Sequence, residues 1–128
     1  MVIKQKKLSS LSYQWVAKMK NFEPYYAVIF TSKHTNNIEG YIEMAEKMET
    51  LAKKQEGFIG IDSARNDVGI TVSYWSSLEA IHSWKQNTDH LFAQKQGKEI
   101  WYSYYDVKIC KVEREYNFDP FKSSNALR

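Results

Sequence analysis

Cysteine occurs once in the 128 residues, as Cys110. A lone thiol excludes an internal disulfide and a cysteine-based metal cluster, and it predicts a reducing, cytoplasmic home. In its strand context it reads as an inert, buried thiol. Three histidines, His34, His82 and His90, lack the spacing of a ligand set, so no metal site and no cofactor are predicted. The few glycines form neither a phosphate loop nor a G-x-G-x-x-G turn, and no nucleophile–base pattern is present. No apolar run approaches the roughly 18 residues of a membrane span. Met1 to Lys7 is basic, but no apolar stretch follows it, so no secretory signal is expected. Internal repeats and low-complexity tracts are also lacking.

Acidic residues are missing from the first twenty positions, which hold Lys4, Lys6, Lys7, Lys18 and Lys20. The net charge of +3 therefore belongs to this arm, since the remainder carries 13 basic and 15 acidic residues. A nucleic-acid binder needs a basic face on its folded body, and none is expected here. The arm reads as solvated or loosely docked.

What the chain has is aromatic content, led by nine tyrosines, which suit strands and amphipathic walls. The length suits one domain. A basic arm over 1–23 precedes a folded domain over 24–116, and a polar tail follows over 117–128.

Tyr25 to Phe30 is apolar without alternation, so this first strand reads as buried on both faces. Asn36 and Glu39 have the spacing of a capping box. Ile38, Tyr41, Ile42, Ala45, Met48 and Ala52 then form one helical stripe, closed by Lys53, Lys54 and Gly57. Phe58 to Arg65 is a second strand. Val68 to Trp75 is a third, with Ile70, Val72 and Tyr74 on one face and Thr71, Ser73 and Trp75 on the other. Ser76-Ser77-Leu78-Glu79 opens a second helix. Asn87-Thr88-Asp89 is expected to interrupt it, with a further helix from Asp89 to Trp101. A last strand runs over Tyr104 to Tyr116, and its pattern switch predicts a bulge near Ile109.

Strand, helix, strand, strand, helix, strand is the order of an α+β, ferredoxin-like βαββαβ fold. Its four-stranded antiparallel sheet carries both helices on one face. The other face would leave on the order of several hundred Å² of apolar surface exposed, which is large for a monomer. A sheet-to-sheet homodimer is the simplest cover, with Tyr26, Val28 and Ile29 as dimer-face residues.

The stretches "PYYAVIF", "ITVSYW…SLEAIHSWK" with its following histidine, and "GKEIWYSYYDVKICKVERE" resemble the antibiotic biosynthesis monooxygenase domain family. The resemblance covers roughly residues 24–116. It implies a dimeric α+β barrel with a cavity between helices and sheet in each subunit. Members of that family include cofactor-independent quinone-forming oxygenases and haem-degrading oxygenases. Counted from Trp84, the haem-ligand position of the haem-degrading branch falls on Gln94, and that branch's first-strand asparagine is absent. A carboxamide does not replace imidazole as haem ligand.

An unbroken helix from Asp89 would align His90, Ala93, Gln94, Gly97 and Trp101 on one face. That mixed face suits a cavity wall for a small aromatic ligand. His90 reads either as a helix cap or as a cavity residue with acid–base work. Trp84 reads as core packing or as pocket wall. Trp101, Gln94, Tyr74 and Tyr105 complete the predicted cavity set. His82 and His34 read as surface residues, the latter in a loop. Arg65 reads as a solvated turn residue or as the holder of an anionic substrate group. The reading that follows is cofactor-independent oxygenation of a small aromatic or quinol-like molecule. A non-catalytic ligand-binding or stress-response dimer and a haem-binding protein are the alternatives.

Overall fold

The structure, a computed structural model, describes residues 22–95 and 100–121, with side chains undescribed for residues 92–95. The predicted arm lies almost wholly outside this range. Tyr25–Val112 forms one unit. Its elements are β1 (Tyr25–His34), α1 (Tyr41–Lys53), β2 (Phe58–Arg65), β3 (Gly69–Trp75), α2 (Leu78–Lys95) and β4 (Tyr102–Val112). The four strands form one sheet in the order β2-β3-β1-β4. Every neighbouring pair is antiparallel. This is the ferredoxin-like fold.

The register assigns each side chain to a face. Tyr26 pairs with Trp75, and Phe58 pairs with Trp75 from the other side. These three rings pack beneath the helices, where Trp75 is wholly buried against Ala52 and Ile81. Trp75 satisfies its indole N–H by donating to Ser73 Oγ at 2.9 Å. Period-two alternation then places Val28, Phe30 and Ser32 on the helix face, and Tyr25, Ala27, Ile29, Ile70, Val72 and Tyr74 on the open face. Tyr26 and Val28, expected at a dimer face, pack instead against the helix-side core. Of the three expected residues, Ile29 is the one on the open face.

Local chemistry explains the helix boundaries. Ser77 Oγ accepts the Ala80 N–H at 3.1 Å, so Ser77 caps α2. The cap expected at Asn36 does not form. Gly40, left-handed at φ 80°, leads into α1, and no side chain caps it. Gly57, with φ 88°, is the tight joint. Its carbonyl accepts the Ser76 N–H at 2.8 Å, which ties the start of β2 to the start of α2.

Four expectations need correction. The helix does not break at Asn87-Thr88-Asp89, because these residues lie along one continuous α2. Lys85 pairs with Asp89 at 2.7 Å, and Thr88 Oγ1 donates to the Lys85 carbonyl at 2.9 Å, so the polar triplet is held within the helix. Ile109 pairs regularly with Val28, and the register shift in that ladder falls between Lys33 and His34. Cys110 is exposed, because it lies opposite Ala27 on the open face of an edge strand. β4 also ends earlier than expected, at Val112. Residues 113–121 form neither helix nor strand and belong with residues 22–24 to a separate unit.

Candidate functional site

A single row of paired residues crosses the helix face at one end of the sheet. Arg65 pairs with Gly69, Gly69 with Ser32, and Ser32 with Tyr105. Because Gly69 has no side chain, the Arg65 side chain lies flat across β3. A Cβ on Gly69 would stand 2.1 Å from Arg65 Cζ. Arg65 Nη2 thereby reaches β1 and donates a hydrogen bond to Ser32 Oγ. Ser32 itself is wholly buried. The guanidinium also lies 5.9 Å from the centre of the Tyr41 ring, a cation–π distance.

The shift between Lys33 and His34 sets His34 opposite Tyr102 and beside this row. His34 is half-buried, and its ring meets Tyr41 edge-on at 4.2 Å and Tyr102 at 5.6 Å. The wall continues through Phe30, which lies 5.5 Å from Tyr102 and stacks on Tyr105 at 5.6 Å. Trp101 closes the other side at 5.9 Å from Tyr41. It is fixed there by its indole N–H, which donates to the Glu39 carbonyl at 2.8 Å. The Thr35 N–H holds the Trp101 carbonyl at 2.8 Å.

Burial, and after it the Arg65 charge, lowers the pKa of His34. The imidazole is therefore neutral near pH 7, the form that accepts a proton. His34 Nε2 is buried and has no hydrogen-bond partner among the described residues. Burial, and then the neighbouring Tyr41 hydroxyl, raises the Tyr102 phenol well above its ordinary value. The cluster thus offers one permanent cation, one neutral imidazole and neutral phenols on an aromatic floor. Such a set can hold a flat ligand, bind a developing anion and take a proton.

The predicted cavity residues divide. Trp101 and Tyr105 belong to the cluster. Trp84 stacks on Trp75 at 5.7 Å within the core. Tyr74 is on the open face, edge-on to Tyr25 at 6.0 Å, with its hydroxyl donating to Asp62 Oδ2 at 3.1 Å. His90 is exposed on α2, and the Gln94 side chain lies outside those described. His34 is the correction of most consequence. It ends β1 instead of standing in a surface loop, so burial and Arg65 act on it. The signal for Arg65 is present in the hairpin. A turn centred on Asp67 puts Arg65 opposite Gly69, where a missing side chain gives a long one room to lie flat.

Among the described residues, no group of three or more His, Cys, Asp or Glu could hold a metal ion, and no helix is long and apolar enough to cross a membrane.

No protein-family model matches the chain. The uncharacterised protein YqjZ of Bacillus subtilis is 48% identical over 94 residues, which span 72% of this chain and 82% of YqjZ. Among solved structures, a variant of SnoaB, a cofactor-independent oxygenase from Streptomyces nogalater, superposes with a TM-score of 0.59 at 7% identity, over 71% of this chain and 95% of that one. A candidate antibiotic biosynthesis monooxygenase from Nitrosomonas europaea gives 0.57 at 12% identity, over 71% and 93% of the two chains. At such identities the likeness to the two structures is one of fold.

Proposed function

Because the chain belongs to one family with Bacillus subtilis YqjZ and has the fold of solved antibiotic biosynthesis monooxygenases, we propose that it oxygenates a small aromatic or quinol-like molecule without a cofactor. The reading takes the His34–Tyr41–Arg65–Tyr102 cluster as its site. The observation that carries it is His34 Nε2, a buried acceptor without a partner among the described residues, held neutral beside the Tyr41 and Tyr102 rings.

The chemistry asked of the protein is modest. His34 takes a proton from the substrate and leaves an electron-rich anion. That anion passes one electron to O2, and the two radicals join at a ring carbon as a peroxide. Loss of water leaves a carbonyl, so a CH2 group and O2 become C=O and H2O. The substrate is the reductant. The protein binds it, orients it and holds the proton, work that general-base catalysis speeds by about 10²–10⁴-fold.

The same reading places a second copy of the chain on the open sheet face. Tyr25, Ala27, Ile29, Val72 and Tyr74 form an apolar strip there, and Ile70 beside them is 45% exposed. Such a strip favours a covered face.

Oxygen uptake with dihydroxyaromatic and anthrone-type compounds tests the activity. The expected result is consumption of O2, with one 18O atom from labelled O2 in a quinone product. Binding with no oxygen uptake would replace this reading by that of a non-catalytic binder. Stoichiometric haem binding with turnover to a ring-opened product would replace it by the haem reading.

A further inference from the structure

Arg65 is built into its place by three features that a solvated turn residue does not need. Gly69 leaves the room it crosses. Ser32, wholly buried, accepts its hydrogen bond. The Tyr41 ring flanks its charge at 5.9 Å. Among the described residues no carboxylate forms an ion pair with it. A guanidinium held by a hydroxyl and a ring still has donors to offer, and a planar oxyanion is the partner that fits its fork. The neighbouring His34 and Tyr102 are neutral near pH 7 and do not supply that anion. Phe30 and Tyr105, stacked with planes 20° apart, and Tyr102, edge-on to both, form an aromatic wall close by.

We propose that Arg65, laid across Gly69 onto Ser32, is an anion anchor, and that the cluster takes an aromatic ligand carrying a carboxylate. The proposal rests on the reading of this cluster as the substrate site. Arg65 would hold the carboxylate while the ring lies along Phe30 and Tyr105, which sets the distance from the anchored group to His34. Gly69 becomes a specificity residue, although it touches no ligand, because its missing Cβ determines where the guanidinium lies.

The test is calorimetric titration without oxygen, using 2,5-dihydroxybenzoate and hydroquinone as probes. The two share the quinol ring and differ in the carboxylate. The unsubstituted protein is expected to bind the carboxylate probe more tightly. Arg65→Gln should weaken that probe by about 10- to 100-fold, the range for a lost charge-assisted hydrogen bond, and should remove the preference. Gly69→Ala should do the same, because the added methyl displaces only the flexible end of Arg65. In the Arg65→Gln background, Gly69→Ala should add nothing, a non-additivity that marks a shared cause. Circular dichroism and the melting temperature would confirm that each variant is folded. Equal affinity of the unsubstituted protein for both probes, or no measurable binding of the carboxylate probe at millimolar concentration, would overturn the proposal. So would an unchanged preference in either folded variant. If the carboxylate probe binds as expected and no oxygen is consumed in air, the oxygenase reading fails and the anchor stands.

Discussion

Trp75 and Trp84 stack with ring centres 5.7 Å apart and planes 28° from parallel. The pair joins the end of β3 to α2 above Ala52 and Ile81. Packing of this kind holds the helix against the sheet, so Trp84 acts on stability before it acts on any ligand. Trp84→Ala should lower unfolding free energy by about 2–4 kcal/mol, near the lower part of the range for large-to-small core changes because Trp84 is only half-buried. Urea unfolding should show a lower midpoint at unchanged slope. A variant of unchanged stability with weakened binding of an aromatic ligand would return Trp84 to the pocket wall.

Two glycines are predicted to behave in opposite ways. A Cβ on Gly57 would stand 2.6 Å from Ala80 Cβ and 2.9 Å from Ser76 Oγ, at a φ of 88°. The Ala80 Cβ is fixed to the helix backbone and cannot move away without shifting the start of α2. Gly57→Ala should cost about 2–4 kcal/mol through backbone strain and overpacking. The Cβ on Gly69 meets only the guanidinium end of Arg65, and its φ is not left-handed. Gly69→Ala should therefore change stability by less than about 1 kcal/mol. Comparable losses in the two variants, read by thermal melting, would refute the distinction.

The same contrast shows what could be read in the chain and what could not. β3 alternates Ile70, Val72 and Tyr74 against Thr71, Ser73 and Trp75, and the register bears that alternation out. Ser76-Ser77-Leu78-Glu79 reads as a helix start, and α2 starts there, capped by Ser77, one residue after the Ser76 of the expected box. Local signals suffice for both. β1 lacks alternation, so pattern alone could not tell Val28 from Ile29, and only pairing with β3 separates them. His34 and Arg65 carry no joint pattern in the sequence. They meet through β3 and through a register shift at the end of β1, both products of long-range pairing. The face expected along His90, Ala93, Gln94 and Trp101 assumed a helix beginning at Asp89. α2 instead runs through from Leu78, and His90 is exposed on it.

The open face yields a prediction about assembly. Ile29 points away from the helices, next to Val72 on β3 and Lys108 on β4. If a second copy covers this face, Ile29→Asp buries an unpaired charge at the interface, at a cost of about 3–5 kcal/mol. Sedimentation equilibrium should show a dimer at micromolar concentration for the parent chain and a monomer, or an unfolded chain, for the variant. A parent chain that sediments as a monomer would remove the dimer from the reading.

The neutral state of His34 has a consequence for stability. Its folded pKa lies below the reference value of 6.5, through burial first and Arg65 second. Below that reference value the unfolded chain takes up a proton that the folded chain refuses. The folded state is therefore favoured above pH 6.5 and loses stability as pH falls through 6.5 toward the lower folded value. Carboxylates add their own acid dependence, so the parent must be compared with His34→Gln. The stability difference between parent and variant should shrink on acidification from pH 7.5 to about 5. Urea midpoints that run parallel over this range would show that His34 titrates alike in both states.

The two histidines His34 and His90 separate the readings of the site most sharply. His90 is exposed on α2. His34 sits against Tyr41 at 4.2 Å with Nε2 buried, so a proton taken there has a defined place. If the chain oxygenates an aromatic substrate, His34→Gln should retain binding, because the side chain stays polar and of similar reach, and should lose turnover by about 10²–10⁴-fold. His90→Ala should leave turnover and binding nearly unchanged. Stopped-flow measurement of substrate loss in air, with affinity measured without oxygen, distinguishes the two effects. A drop in affinity equal to the drop in rate for His34→Gln would make His34 a binding residue and not a base. Loss of turnover in His90→Ala with full activity in His34→Gln would move the chemistry to α2, away from the cluster that Arg65 and Tyr102 define.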